Sequence, residues 1–471
     1  MTLTLVLLRS NNKMENKRSS FSGKLGFVLA AAGSAVGLGN IWRFPYLAAK
    51  YGGGIFLLVY ILLAATFGFA LTATEIAIGR KTKLSPTGAF RTLNKKSTFI
   101  GVLGAIVPMM ILPYYSVIGG WVMKYFAEFV NGNATEMAKD TYFEGFISST
   151  GSPVFWFIIF MALTTLIVML GVDKGIEKVS KIMMPLLIAL ILFITGYSLF
   201  TIEGAWDGVL YYITPDFSKF SIMTVVAAMG QLFYSMSIAM GIMITFGSYL
   251  KKDVSIEKSV YQIAIFDISV AFLSALMIVP AVYAFSGGSE EAMSKGAGLM
   301  FVTLPKIFDA MPGGNIIGAV FFVMVFFAAI TSSISLMETV VSTITDKFKL
   351  NRKLTCLLVF AGSAAVGLVS AFGYSIWADV KIIGMQFLDL FDFISNSILM
   401  PVVAFCTCIF VGYVLKPRAI IDELEYADGD KPYHTFKLKK LYSVIIKYVA
   451  PVCILLILIS SVLDAFGIVK I

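Results

Sequence analysis

Apolar runs of the roughly 20 residues needed to cross a bilayer as a helix recur eleven times along this chain, and nothing else in it constrains the fold as tightly. They lie near 25–50, 54–78, 98–130, 153–171, 178–200, 222–250, 259–286, 314–345, 354–373, 383–415 and 443–466. A transmembrane barrel would instead require short segments of alternating polarity. With 58% hydrophobic and 14% charged residues, the chain cannot cover a water-soluble surface. The loops 131–152, 201–221, 287–313 and 416–442 are too short to bury cores of their own, so one membrane domain is expected.

Lysine and arginine place the ends of the spans, because short basic loops stay cytoplasmic. With the N-terminus inside, inner segments carry 27 of these residues and outer segments 6, which predicts a cytoplasmic N-terminus and an external C-terminus. The net charge of +9 is therefore a topology signal scattered over short loops, not a nucleic-acid footprint. Leu3–Leu8 precedes its charges and lacks a small-residue cleavage site, unlike a signal peptide. Cys356, Cys406, Cys408 and Cys453 fall inside spans and share no metal-ligand spacing with His434, so they read as buried small hydrophobes.

Two spans differ from the rest. The first, Gly33-Ser34-Ala35-Val36-Gly37-Leu38-Gly39-Asn40-Ile41-Trp42-Arg43-Phe44-Pro45, sets glycines, an asparagine, an arginine and a proline in membrane. The sixth, Gln231 to Gly241, sets hydroxyls and a glycine at its midpoint. Glycine costs about 1 kcal/mol in a helix interior and hydroxyls capture backbone groups, so both segments are poor helix. The glycines would also let neighbouring helices approach. Asn40 and Arg43 favour interruption, because intramembrane polar groups are expensive and broken helices occur where they line a cavity. Spans one and six lie five apart, as in two inverted five-helix repeats each opening on its broken helix.

The Gly33–Pro45 stretch, followed by Gly52-Gly53-Gly54 and Glu75-Ile76-Ala77-Ile78-Gly79-Arg80, resembles the signature of the neurotransmitter:sodium symporter family. The resemblance runs through the tenth span. It implies an all-α membrane protein of the leucine-transporter fold, with helices 1 and 6 unwound at the midplane. Its parts would be a cytoplasmic segment 1–24, repeats at 25–200 and 222–415, and an extra helix at 443–466. It implies sodium-coupled amino-acid uptake across a bacterial inner membrane by alternating access, with no obligate protein partner. An enzyme is disfavoured, since no nucleophile motif, metal cluster or cofactor loop is present. A sodium channel and a non-transporting sensor are the competing functions.

Carried over residue by residue, the resemblance assigns a first sodium ion to Ala35, Asn40, Ser235 and Asp267, together with the substrate carboxylate. A second would take Gly33, Val36, Ala328, Thr331 and Ser332. The chemistry agrees, since a hard cation wants oxygen ligands and interrupted helices offer carbonyls. The carboxylate would meet the amides of Leu38 and Gly39 at a half-helix N-terminus and the Tyr115 hydroxyl. Arg43 and Asp392 would form the outer gate over a lid of Tyr115 and Tyr234. Arg18, Phe21, Ser248, Tyr249 and Asp346 would form the inner gate. Gly175 and Pro185, nine residues between them, would permit local unwinding of span five.

Besides Leu38 and Gly39, the substrate would be lined by Ala35, Ile111, Tyr115, Ile118, Tyr234, Ser235, Ser237, Ala239, Met240, Gly241, Ser332 and Ser333. Met240 stands where a relative carries an aromatic, and flexible methionine packs against rings of varied size, which tilts the expected substrate toward large hydrophobic or aromatic amino acids. Small neutral amino acids are the alternative. Asp267 stands where many members carry asparagine, with Tyr60, Gln231 and Ser235 at positions that surround an anion site. It would supply the fixed charge and remove the need for chloride. Proton carriage and helix packing are its other readings.

Overall fold

The computed structural model describes residues 20–288, 297–425 and 435–465. Among these residues the chain is helical, with isolated bridges at Gly53–Pro215 and Ile382–Met385 and no strand ladder.

Helices α1 (Lys24–Ala35) and α2 (Gly39–Lys50) meet at a 55° bend. Four continuous spanning helices follow: α3 (Gly54–Thr82), α4 (Lys95–Val130), α5 (Gly151–Met169) and α6 (Val172–Thr201). Next come the short α7 (Ile222–Ser235) and α8 (Ile242–Tyr249). Continuous helices resume with α9 (Ile256–Phe285), α10 (Gly314–Phe348), α11 (Arg352–Phe372) and α12 (Phe387–Leu415). A short amphipathic α13 (Pro417–Glu425) leads to α14 (Lys439–Leu463). Among the described residues nine continuous helices and the bent pair are long and apolar enough to cross a bilayer. Eleven is reached only by reading α7 and α8, of 14 and 8 residues, as halves of one span.

Burial sorts these helices into centre and rim. In α4 72% of the apolar window is buried against protein, but in α6 and α14 only 33%, so the last two present most of their surface to lipid. Every residue of α1 from Gly26 to Ala35 is buried, as are those of α10 from Ala328 to Thr343. Helices α3 and α8 touch backbone to backbone: a methyl on Gly79 would lie 1.9 Å from the Ile244 carbonyl oxygen, and one on Gly247 2.4 Å from that of Ile76. The α6 helix runs unbroken from Lys178 through Pro185 to Thr201, and a methyl on Gly175 would meet the Ile167 carbonyl oxygen at 2.1 Å. Gly175 itself lies in the wider π-helical turn Val172–Glu177 that precedes this stretch. Cys356 and Cys408 are buried as expected, whereas Cys406 and Cys453 are partly exposed on the flanks of α12 and α14.

Candidate functional site

The chain breaks where its helix formers run out. After Ala35 the backbone turns extended at Val36 (φ −77°, ψ 102°), and Asn40 restarts the helix by accepting the Gly37 amide on its Oδ1 at 3.2 Å. Between α7 and α8 the backbone takes left-handed φ at Ser237 (52°), Ala239 (64°) and Gly241 (69°). Two of those are L side chains in a region that disfavours them, so neighbours must hold them there. Ser237 donates to the Ser34 carbonyl at 3.0 Å, and the Ala239 amide donates to Glu75 Oε1 at 2.7 Å. The two interruptions thus brace each other.

Between them lies a cavity of about 30 Å³. The first break contributes Ser34, Ala35, Gly37, Leu38, Gly39 and Asn40, and α4 contributes Ile111 and Tyr115. The remaining walls are Tyr234, Ser237, Met240 and Ile242 around the second break, with Ser332 and Leu336 of α10. The Tyr115 hydroxyl is buried there and completes no hydrogen bond, although Ser332 and the Leu38 amide lie beside it. A methyl on Gly37 would press to 2.9 Å on the Ser332 hydroxyl and one on Gly39 to 2.4 Å on the Tyr234 ring. Both glycines therefore mark close approach.

One oxygen cluster flanks the cavity at Asp267 of α9. Its Oδ1 accepts from Asn40 Nδ2 at 2.8 Å and from the Ser235 hydroxyl, and its Oδ2 accepts from Tyr60 at 2.7 Å. Gln231 donates to the Gly39 carbonyl at 3.0 Å while its own Oε1 has no partner. All five side chains are 0–1% exposed, and the Asp267 carboxyl takes three donors. A second cluster lies where α10 crosses α1. The Ser332 hydroxyl reaches the carbonyls of Gly33, Ser34 and Val36 at 3.3–3.4 Å, and Thr331 donates to the Ala328 carbonyl at 3.2 Å. Gly33 faces Thr331, whose Cβ would be 3.2 Å from an added methyl. Among the described residues no three His, Cys, Asp or Glu gather as a transition-metal site would require. Carbonyls and hydroxyls suit a hard monovalent cation instead.

Five expected substrate-binding residues are not on its walls. Ser333 lies one 100° step round α10 from Ser332 and bonds Thr164 of α5 at 3.0 Å. Ala239 is turned away with its amide on Glu75, Gly241 abuts Pro86 and the Gly104 carbonyl, and Ile118 packs into the apolar core. Ser235 points to Asp267 and not into the cavity.

At the expected outer gate Asp392 accepts from Tyr114 at 3.0 Å and from Asn396 at 2.6 Å, while the Arg43 guanidinium lies 6.0 Å from the Tyr234 ring centre; among the described residues no ion pair joins Arg43 to Asp392. At the opposite face Phe21 packs edge-on against Tyr249 and Phe246, and Asp346 accepts the Ser85 amide at 2.8 Å. Ser248 donates to the Thr245 carbonyl of its own turn, and Arg18 lies outside the described residues. Sequence reasoning missed the ion pair beside them: Glu338, fully buried, accepts from Arg352 through both oxygens and accepts the Tyr249 hydroxyl at 2.7 Å. It also missed Glu75, Ser34, Ile242 and Leu336. For Glu75 and Glu338 the available signal was a carboxylate inside an otherwise apolar span.

Comparison with known proteins agrees with this geometry. The profile of the sodium:neurotransmitter symporter family matches residues 18–137 and 127–468. The chain is 33% identical to the uncharacterized sodium-dependent transporter YhdH of Bacillus subtilis, over 95% of this chain and 98% of that protein. It is 30% identical to an uncharacterized sodium-dependent transporter of Haemophilus influenzae, over 96% and 100% of the two chains. The crystal structure of MhsT in complex with L-phenylalanine superposes with a TM-score of 0.83 at 35% identity, covering 94% of this chain and 100% of that one. Broken helices around an oxygen-lined cavity and matches along nearly the whole length lead to one conclusion: the chain is a sodium-dependent transporter, not an enzyme, and belongs to the sodium:neurotransmitter symporter family.

Proposed function

We propose that this transporter carries a large hydrophobic or aromatic L-amino acid inward with sodium and needs no chloride. The observation that carries the reading is the buried, unpartnered Tyr115 hydroxyl aimed at the Leu38–Gly39 turn. An orphaned buried hydroxyl costs about 1–3 kcal/mol, and a carboxylate placed between it and the half-helix amides would repay that. Opposite this polar end the walls are Ile111, Met240, Ile242 and Leu336, which suit an apolar side chain. L-phenylalanine in the related MhsT supports the same class.

One sodium ion would take Ala35, Asn40, Ser235 and Asp267 with the substrate carboxylate, so that neither ligand binds fully without the other. A second would take the carbonyls of Gly33, Val36 and Ala328 with Thr331 and Ser332. Ser34 adds a further carbonyl within reach of Ser332. Repeats at 25–200 and 222–415 would rock about this site, alternately parting Arg43 from Asp392 and opening the Phe21/Tyr249 face, with α14 outside the repeat. The basic face would be cytoplasmic and the membrane a bacterial inner membrane, as the bacterial relatives favour.

A cavity of about 30 Å³ must widen for any amino acid, and small neutral amino acids, which need the least widening, are the second reading. Met240 and Leu336 are the flexible walls that a large substrate would displace. Uptake into liposomes driven by an inward sodium gradient decides the matter. Labelled leucine, phenylalanine or tyrosine should accumulate saturably and compete with one another, while glycine should not compete. Preferential glycine transport would overturn the substrate class, and sodium flux that is unsaturable without substrate would make the protein a channel.

Tyr115→Phe removes one hydrogen bond to a charged group, worth about 1.5–3 kcal/mol. Apparent substrate affinity should fall roughly 10- to 150-fold with an unchanged preference order. Equal affinity in the variant would detach the hydroxyl from the carboxylate.

A further inference from the structure

The end of α12, the short α13 and the start of α14 enclose a groove of about 390 Å³ on the face that carries the basic loops. Three of its lining side chains are cations: Lys416, Arg418 and Lys447. Arg418 is held by Asp422 at 3.0 Å, whereas Lys416 and Lys447 make no ion pair among the described residues. Lys416 holds a left-handed φ of 70°, where glycine would sit without strain, so the chain keeps a charge at a turn that disfavours any side chain. Gly412 lets α14 come close, with the Lys447 stem 3.4 Å from where a methyl would be. Tyr413, Val414, Val444 and Tyr448 beside the groove are exposed, on helices long and apolar enough to span the membrane.

A cationic floor that continues into exposed apolar helix faces matches the anatomy of a glycerophospholipid: an anionic phosphate at the interface with acyl chains running down the span. A free phosphate would use the cations and leave the apolar flank without a role. We propose that this groove binds the phosphate headgroup of an anionic membrane phospholipid, with Lys416 and Lys447 as its principal ligands. The bound lipid would tie α12, α13 and α14 together. Helix α13 also carries Glu423, whose side chain and carbonyl hold the buried Arg80 at the end of α3. Lipid composition would therefore bear on the loop that anchors α3.

The full-length transporter, extracted from membranes containing phosphatidylglycerol and phosphatidylethanolamine and examined by native mass spectrometry, should retain phosphatidylglycerol selectively. Lys416→Gln/Lys447→Gln should retain about thirtyfold less, roughly fivefold to sixfold for each lysine at about 1 kcal/mol per cation near an anionic headgroup. Lys95→Gln/Lys96→Gln, an exposed basic pair elsewhere on the same face, should retain it like the parent. Matching thermal unfolding in phosphatidylcholine would show both variants folded. Equal retention of the zwitterionic lipid, undiminished retention by Lys416→Gln/Lys447→Gln, or equal loss in the control pair would each overturn the site. Inorganic phosphate that binds the detergent-solubilised protein and displaces the lipid would reassign the groove to a free anion and overturn the lipid proposal.

Discussion

Asp267→Asn should abolish amino-acid uptake in gluconate medium and restore part of it when chloride is supplied, while the parent transports equally in both. The substitution isolates charge from shape. Asparagine keeps an oxygen for Asn40 and Ser235, and its amide can face a reoriented Tyr60 hydroxyl, so the hydrogen-bonded cage survives. What disappears is a negative charge in a site where Asp267 and its cage are 0–1% exposed. A unit charge about 4 Å from a cation contributes about 4 kcal/mol at an effective dielectric of 20, so sodium-coupled binding should weaken on the order of a thousandfold. Chloride is the natural substitute, because Tyr60, Gln231 and Ser235 already offer hydroxyl and amide groups there. Initial uptake rates in the four combinations of variant and anion give the answer. A chloride requirement in the parent, or full gluconate activity in the variant, would remove the charge from Asp267's account.

How far the sequence reached depends on the kind of interaction. Breaks at Val36–Leu38 and Met236–Gly241 were legible because they are local: glycine, asparagine and hydroxyls weaken helix wherever they stand. The meeting of Asn40, Ser235 and Asp267 was legible only through family resemblance, since it joins Asn40 to residues 195 and 227 positions away. Helical phase explains the misplaced Ser333, which one 100° step turns from α1 toward Thr164. Ala239 was misplaced for another reason: its left-handed φ turns its amide toward Glu75, and no propensity scale anticipates that conformation for alanine. At the expected outer gate Asp392 has alternative partners in Tyr114 and Asn396, and sequence cannot say which contact a given conformation selects.

The inner face also holds a buried ion pair that was not among the residues first assigned to it. Glu338 is fully buried, so its charge depends on Arg352, which is anchored in turn by the Val168 carbonyl at 2.7 Å and 3.1 Å. Removing one partner of a buried pair costs about 3–5 kcal/mol, chiefly because the remaining charge stays uncompensated. Arg352→Met should therefore open the Tyr249 side of the molecule and shift the closed-to-open ratio by roughly a thousandfold, at about 4 kcal/mol. Uptake should fall to background while an engineered Ser248→Cys thiol becomes reactive to an impermeant reagent applied from that face. Neutralising both partners discriminates a gate from a fold defect. Glu338→Gln/Arg352→Met leaves no buried charge, and the amide can still accept the Tyr249 hydroxyl, so much of the lost closure should return. If the double variant is no better than the single, Arg352 acts through its hold on Val168, and the α10–α11 junction is a structural joint, not a gate.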